Sequence, residues 1–358
     1  MTDFHQPLEV RQFPLPDDIA RRSVLVKVEM AGICGTDVHL WKGQLPIPRP
    51  IILGHETVGV CERIGADLEN DWTCAPLRAG DRVTWSAGML CGSCYYCSGV
   101  RQPTRCLNRK AYGISFSCAE PPHLSGGYAE YIYLRPGTAI FKIADVTAEA
   151  VTGAGCALVT AIHGLERMGI NWGDKVVIQG SGPVGLSALA IAKSSGASIT
   201  VVIGGPASRL ELAKTFGADY TIDIDETTEP AARLDQVKQL TGGYGADAVI
   251  ECVGSPTVVH EGLEMCRDGG KYLVLGHYGD AGVTPINPHV ITRKQLTVFG
   301  SWSSEPRHMA KGLDFLRSEG KRFPFEQLVS HRFPLDRVFE ALQTTAQWAS
   351  RKSVIVPN

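Results

Sequence analysis

The stretch DKVVIQGSGPVGLSALAIAKSSGA, residues 174–197, constrains the fold of this chain more than any other. A short run of branched apolar residues leads straight into Gly180, Gly182 and Gly185, and beyond them apolar residues recur at helical spacing. A strand that passes into a helix through G-x-G-x-x-G is the phosphate loop of a dinucleotide-binding βαβ unit. The first glycine permits the tight turn and the second lets backbone approach a pyrophosphate. The third lets helix pack on strand, and the helix amino terminus offers unpaired N–H groups to the phosphates. SITVVIGG, ADAVIECVG and KYLVLGHYG repeat the strand theme, with the helical SRLELAKTFGA after the first. Strands alternating with helices from about residue 158 predict an α/β domain with a doubly wound parallel sheet.

The second strand of that unit ends VVIGGPASR, so Gly204 and Gly205 stand where an acidic residue would grip the ribose 2′-hydroxyl of NAD. Without a carboxylate nothing there repels a 2′-phosphate, and Ser208 and Arg209 are the nearest groups to hold one. Both NAD and NADP are therefore admitted, and Gly204→Asp is expected to favour NAD.

The first 150 or so residues read differently, as short apolar runs broken by glycine and proline, such as VLVKVEMAGIC (24–34) and ILGHETVGVCERIG (52–65). At 358 residues there is room for two domains. A net charge of −2 argues against nucleic acid as a partner, which would need clustered Lys and Arg. No apolar run approaches the roughly 20 residues of a membrane span. The amino terminus, MTDFHQPLEVRQFPLPDD, carries charges where a signal peptide would be apolar. A cytoplasmic protein with no membrane partner is expected.

In that compartment the eleven cysteines are not expected as disulfides. Cys91, Cys94, Cys97 and Cys106, spaced C-x2-C-x2-C-x8-C, bring four thiolates together over a short loop, which suits a structural zinc. A redox C-x-x-C is the weaker reading, because these pairs do not open a helix after a strand. A second constellation is more open. Cys34, His55 and the distant Cys156 would give zinc three ligands and leave a fourth position free, although a histidine beside a glutamate is as readily a hydrogen-bonded surface residue.

CGTDVH (34–39), GHE (54–56), the four-cysteine lobe, GGYAEY (126–131), the C-x-x-x-T of residues 156–160 and the glycine loop stand in one order over nearly the full chain. Together they resemble the zinc-dependent alcohol dehydrogenases of the medium-chain dehydrogenase/reductase family. The resemblance implies a catalytic zinc on Cys34, His55 and Cys156 and a structural zinc on the lobe, whose last gap is one residue longer than the usual seven. It implies that Glu56 sits behind the catalytic metal, that Asp37 orients His55, and that Thr36 and His39 relay a proton. Thr160, Gly182, Pro183 and Val184 would lie along the cofactor, and Gly254, Gly276 and Ser301 would line it. The chemistry implied is hydride transfer between an alcohol and NAD(P), with zinc as Lewis acid.

The implied architecture is a GroES-like, β-rich catalytic domain over residues 1–157 and 298–358 and a Rossmann cofactor domain over 158–297, with the active site in the cleft between them. Homodimers or homotetramers are implied, with GGKYLVLGHYG and VTPINPHVITRKQLTVFG the stretches to watch. A polyol or amino-alcohol dehydrogenase of the sorbitol or threonine type is the alternative within the family, since GTDVH fits that branch too. A cysteine at 156 points instead to the alcohol type. Trp41, Trp85 and Trp302 would furnish an apolar pocket for cyclic alcohols. A non-catalytic zinc-knuckle protein is the alternative of another class, and RQPTRCLNRK (101–110) is too short a basic run to support it.

Overall fold

The computed structural model describes residues 1–143 and 145–357. The expected ranges 1–157 and 298–358 include Ala144 and Asn358, which lie outside the described residues. The chain begins with β1 (Val24–Gly32), the short helix α1 (Gly35–Trp41), β2 (Glu56–Ile64) and β3 (Arg82–Trp85). A small ladder of β4 (Gly88–Met89) and β5 (Lys110–Ala111) precedes β6 (Tyr131–Leu134) and β7 (Ile140–Lys142). Helix α2 (Ala148–Met168) leads into β8 (Lys175–Gln179), α3 (Pro183–Ser194), β9 (Ile199–Gly204), α4 (Ala207–Thr215) and β10 (Tyr220–Asp223). Then come α5 (Pro230–Leu240), β11 (Ala246–Glu251), α6 (Thr257–Met265), β12 (Cys266–Val274), α7 (Pro288–Arg293) and β13 (Thr297–Gly300). Helix α8 (Pro306–Glu319), β14 (Val329–Phe333), α9 (Val338–Ala346) and β15 (Lys352–Ile355) close the chain.

Two compact units result. Met1–Cys156, Ser304–Gly320 and Phe325–Asn358 form one, and Ala157–Ser303 with Lys321–Pro324 the other. In the first, a seven-stranded sheet runs β14-β15-β1-β2-β3-β7, with β6 also on β1. Bulges between Leu25 and Val26 and between Val28 and Met30 bend the β1–β2 pair, as barrel-like sheets require. Val26, Ile33, Leu40, Val83, Ile132 and Leu342 fill the core behind it. The register sets Gly32 opposite Glu56. The carboxyl end of β1 and the amino end of β2 therefore deliver Cys34 and His55 to one place. On the other edge of β1, Gly32 pairs with Val354, which brings β15 alongside.

The second unit is a six-stranded sheet in the order β10-β9-β8-β11-β12-β13, every pair parallel. Val176, Val177, Ile178, Val201, Val202, Val249 and Ile250 are almost wholly buried, which is why these strands read as unbroken apolar runs instead of alternating ones. The order reverses between β8 and β11, and in such sheets ligands bind outside the carboxyl ends of the strands at that point.

One expectation is corrected here. Helix α2 is long and apolar enough to cross a membrane by length and composition. Its most apolar window is 78% buried, and Gly155 breaks the helical backbone inside it with φ 48° and ψ −146°, so it is a core helix with a kink.

Candidate functional site

Cys34, His55, Glu56 and Cys156 offer ligand atoms that all lie within 4.8 Å of one another. The Sγ atoms of Cys34 and Cys156 are 3.3 Å apart although 122 residues separate them. Asp37 organises this cluster from the first turn of α1. Its Oδ2 accepts the N–H of Cys34 at 2.9 Å, as an acidic residue does three positions into a helix. Its Oδ1 accepts from His55 Nδ1 at 3.2 Å, which leaves the Nε2 lone pair for a metal. Burial pulls the His55 pKa down, but the Asp37 charge and hydrogen bond override it and hold it well above the usual value. The hydrogen bond between the two thiols pushes the Cys34 thiol down and the Cys156 thiol up. Two cysteine sulfurs and a histidine nitrogen at this spacing are a donor set that tetrahedral zinc takes.

Behind the ligands lies a pair that sequence reasoning missed. Lys352 Nζ donates to Glu56 Oε2, and both side chains are almost fully buried. Glu56 Oε1 accepts the N–H of Cys156 at 2.7 Å. That bond needs Gly155: a Cβ there would stand 2.4 Å from Glu56 Oε1, and the positive φ suits glycine. With zinc present the charges close, two thiolates against a dication and Glu56 against Lys352. Tyr128 packs over Gly54, whose Cβ would fall 2.6 Å from its ring, and burial, then the Asp37 charge, push its phenol pKa up. Thr36 is buried on α1, and His39 is exposed three positions on, its Nδ1 against Gln44 Oε1.

Cys91, Cys94, Cys97 and Cys106 form the second cluster, again with ligand atoms within 4.8 Å. The eleven cysteines are free of disulfides. The Ser93 N–H and the Asn108 side chain hold the Cys91 thiol down to about 5, towards the thiolate that zinc binds. The lobe is mostly solvent-facing, with Tyr95 and Leu107 exposed and only Cys106 buried among the four.

In the parallel-sheet unit the glycine loop divides its labour as the sequence suggests. A Cβ on Gly185 would meet Gly180 O at 1.9 Å, so helix and strand touch there, whereas a Cβ on Gly182 would meet nothing within 4 Å. That open cradle, at the amino terminus of α3 with Pro183 and Val184 half-exposed beside it, fits a pyrophosphate. Gly254 and Gly276 lie at the carboxyl ends of β11 and β12. Ser301 Oγ is 3.1 Å from His163 Nδ1, and Thr160 is half-buried on the same helix as that histidine.

The end of β9 brings two corrections. Gly204 cannot take a side chain as expected, because a Cβ there would stand 2.6 Å from Ser181 Oγ and 2.9 Å from Ser181 N. Gly204→Asp would push the phosphate loop aside instead of reaching a ribose. A carboxylate is nevertheless close by. Asp225 Oδ2 lies 3.5 Å from where a Cβ of Gly205 would be, supplied from beyond β10 and not from β9 itself. Ser208 is exposed on α4, and Arg209 is buried. The three tryptophans stand in different surroundings. Trp85 is core at 4% exposure, Trp41 packs edge-on to Phe339 within its own unit, and Trp302 stacks on Tyr278 in the other.

The sequence profile of the alcohol dehydrogenase GroES-like domain matches residues 20–145, and that of the zinc-binding dehydrogenase domain matches residues 183–318. 5-exo-Hydroxycamphor dehydrogenase of Pseudomonas putida is 35% identical over 94% of this chain and 92% of its own. Sorbitol dehydrogenase of Halalkalibacterium halodurans is 31% identical over 95% and 93%. An alcohol dehydrogenase from Thermotoga maritima, solved by crystallography, superposes with a TM-score of 0.95 at 35% identity, covering 100% of this chain and 98% of that one.

Proposed function

Because the chain belongs to the zinc-dependent alcohol dehydrogenases of the medium-chain dehydrogenase/reductase family, we propose that its substrate is a ring-bearing secondary alcohol and its product the ketone. It is an oxidoreductase that interconverts alcohol and carbonyl compound and exchanges a hydride with NAD or NADP. The observation that carries the reading is the clustering of Cys34, His55, Glu56 and Cys156 within 4.8 Å. The ring follows from the hydroxycamphor relative, at 35% identity over almost the whole chain. A polyol is the second reading, supported by the sorbitol relative at 31%.

Cys34, His55 and Cys156 would hold the catalytic zinc, and Cys91, Cys94, Cys97 and Cys106 the structural one. When bound, the catalytic zinc supplies Lewis acidity that lowers the pKa of an alcohol hydroxyl, and the nicotinamide cofactor takes the hydride. Asp37 fixes the His55 ring and its tautomer. Glu56, braced by Lys352, keeps Cys156 in place through its amide. Thr36 Oγ1 would accept the hydroxyl proton as it gives up its own towards the bound cofactor, and the exposed His39 would exchange a proton with solvent at the far end of that relay. The β-rich unit serves as the catalytic domain and the parallel-sheet unit, Ala157–Ser303 with Lys321–Pro324, as the cofactor domain; the expected boundary at 298 moves to Ser303 because β13 completes the parallel sheet. The glycine loop takes the pyrophosphate, with Thr160, Gly254, Gly276 and Ser301 along the rest of the dinucleotide.

A homodimer or homotetramer is the assembly we favour. β13 is an edge strand with Val298 46% exposed, and such an edge left bare is a template for pairing with a second copy. We favour the cytoplasm as its location, a compartment that keeps thiols reduced for the two zinc sites.

Initial rates over primary, secondary, cyclic and vicinal-diol alcohols, with NAD and NADP in parallel, test the function on protein holding two zinc ions per chain. Cyclic secondary alcohols should exceed sorbitol in kcat/KM by about tenfold or more. Preference for sorbitol would select the polyol reading, and no turnover on the whole panel would sink both. The ribose end has its own test. Asp225→Asn removes the charge that would repel a 2′-phosphate and should raise the NADP-to-NAD ratio of kcat/KM by about tenfold. An unchanged ratio would show that Asp225 does not face the ribose.

A further inference from the structure

β11 ends in Glu251, whose side chain has no exposed surface. Backbone holds its carboxylate. Oε1 accepts the N–H of Val253 at 2.7 Å and of Gly254 at 2.6 Å, and Oε2 accepts the N–H of Gly276 at 3.0 Å. His277 Nε2 stands 3.9 Å from Oε2. One side chain thus ties the turn after β11 to the turn after β12. The two turns are pressed together: a Cβ on Gly276 would lie 2.3 Å from Gly254 N, and one on Gly254 2.6 Å from Gly276 O. The same turn reaches the glycine loop. Cys252 N–H donates to Gln179 O at 2.8 Å, and a Cβ on Gly180 would sit 3.1 Å from the Cys252 carbonyl. The carboxyl ends of β8, β11 and β12 are therefore one assembly with Glu251 at its centre. They flank the place where the strand order reverses, the ligand crevice of this kind of sheet.

A buried carboxylate is costly unless hydrogen bonds meet its lone pairs, and charge-assisted bonds to backbone amides are strong enough to do so. Those bonds turn three amides towards Glu251 and fix the two turns before any ligand arrives. They also spread a charge that would otherwise repel an anionic dinucleotide. We propose that Glu251 is a positioning residue of the dinucleotide site, holding the turns of Gly254 and Gly276 against the glycine loop in the shape the cofactor needs. The proposal rests on the reading of this crevice as the NAD(P) site.

Glu251→Gln is the direct test. A carboxamide has one acceptor oxygen, and its NH2 would face an amide donor, so the side-chain bonds to one of the two turns are lost, while the main-chain bonds of Leu275 and Gly276 to the Glu251 carbonyl remain. In zinc-loaded full-length protein, the Kd for NADH and NADPH by fluorescence titration should rise by about tenfold or more. At saturating cofactor, kcat should stay within about threefold of wild type, a split between cofactor binding and turnover. A general loss of stability is controlled by Lys294→Met. Lys294 Nζ donates to Glu264 O at 2.6 Å and Cys266 O at 3.0 Å, at the amino end of β12. That variant should lower Tm at least as much and leave both Kd values unchanged. If Glu251→Gln does not accumulate, Glu251→Asp, which withdraws the charge by one carbon, is read in the same assay. A wild-type Kd in the variant, or a Kd that simply follows lost Tm in both variants, overturns the proposal. Wild-type protein that binds neither NADH nor NADPH overturns the dinucleotide reading itself.

Discussion

Cys156→Ala should lower kcat/KM by at least about 10³-fold, since a Lewis acid contributes several kcal/mol and each 1.36 kcal/mol is a factor of ten. Zinc content should fall from two per chain towards one, because Cys34 and His55 alone cannot hold the catalytic ion at a tetrahedral site. The fold should persist. Cys156 is a small, half-buried side chain next to the kink at Gly155, and its bond to Glu56 comes from the main chain, which alanine retains. The lobe of Cys91, Cys94, Cys97 and Cys106 shares no ligand with this cluster and should keep its ion. Metal analysis, circular dichroism and initial rates on one preparation separate these effects. Full activity with two zinc ions retained would remove Cys156 from the site, and loss of both ions would mean that the substitution damaged more than one ligand.

How much of this was legible in the sequence depends on how local each signal is. The glycine loop and its flanking strand and helix are read within twenty residues, and β8 and α3 form where the pattern places them. The four-cysteine lobe is equally local. The catalytic cluster is not. Cys34 and Cys156 meet at 3.3 Å only because β1 and the kink in α2 bring them together, and nothing near either residue says so. Gly155 did leave a trace, a glycine inside a helical pattern beside a candidate ligand. Lys352 left none: its partner Glu56 is 296 residues away, and its neighbours read as an ordinary final strand. Asp225 escaped for a related reason. The pattern for the ribose carboxylate looks along the second strand, whereas β10 lies beside β9 in register and supplies an acid from the neighbouring strand's end. Helix α2 does not read as a long apolar run because glycine, threonine and histidine interrupt it, although by length and composition it could cross a membrane.

Lys352→Met should destabilise the β-rich unit by about 3–5 kcal/mol, the usual cost of leaving one member of a buried ion pair alone. Both side chains are at most 4% exposed, so water cannot take over the role of the ammonium. The Glu56 carboxylate would keep the Cys156 N–H and lose its counter-charge. Whether the ammonium or merely its bulk matters is decided by a second substitution. Glu56→Gln in the Lys352→Met background removes the orphaned charge, and most of the lost stability should return, giving a coupling well beyond additivity. The metal enters with a definite sign. A dication bound beside Glu56 partly replaces the missing ammonium, so Lys352→Met should cost more stability in chelator-treated protein than in zinc-loaded protein. Urea unfolding of the single and double variants, each with and without zinc, measures all four terms. A Lys352→Met chain within about 1 kcal/mol of wild type without zinc would mean that the carboxylate is solvated or protonated, and additive double-variant effects would mean that the two groups do not act as a pair.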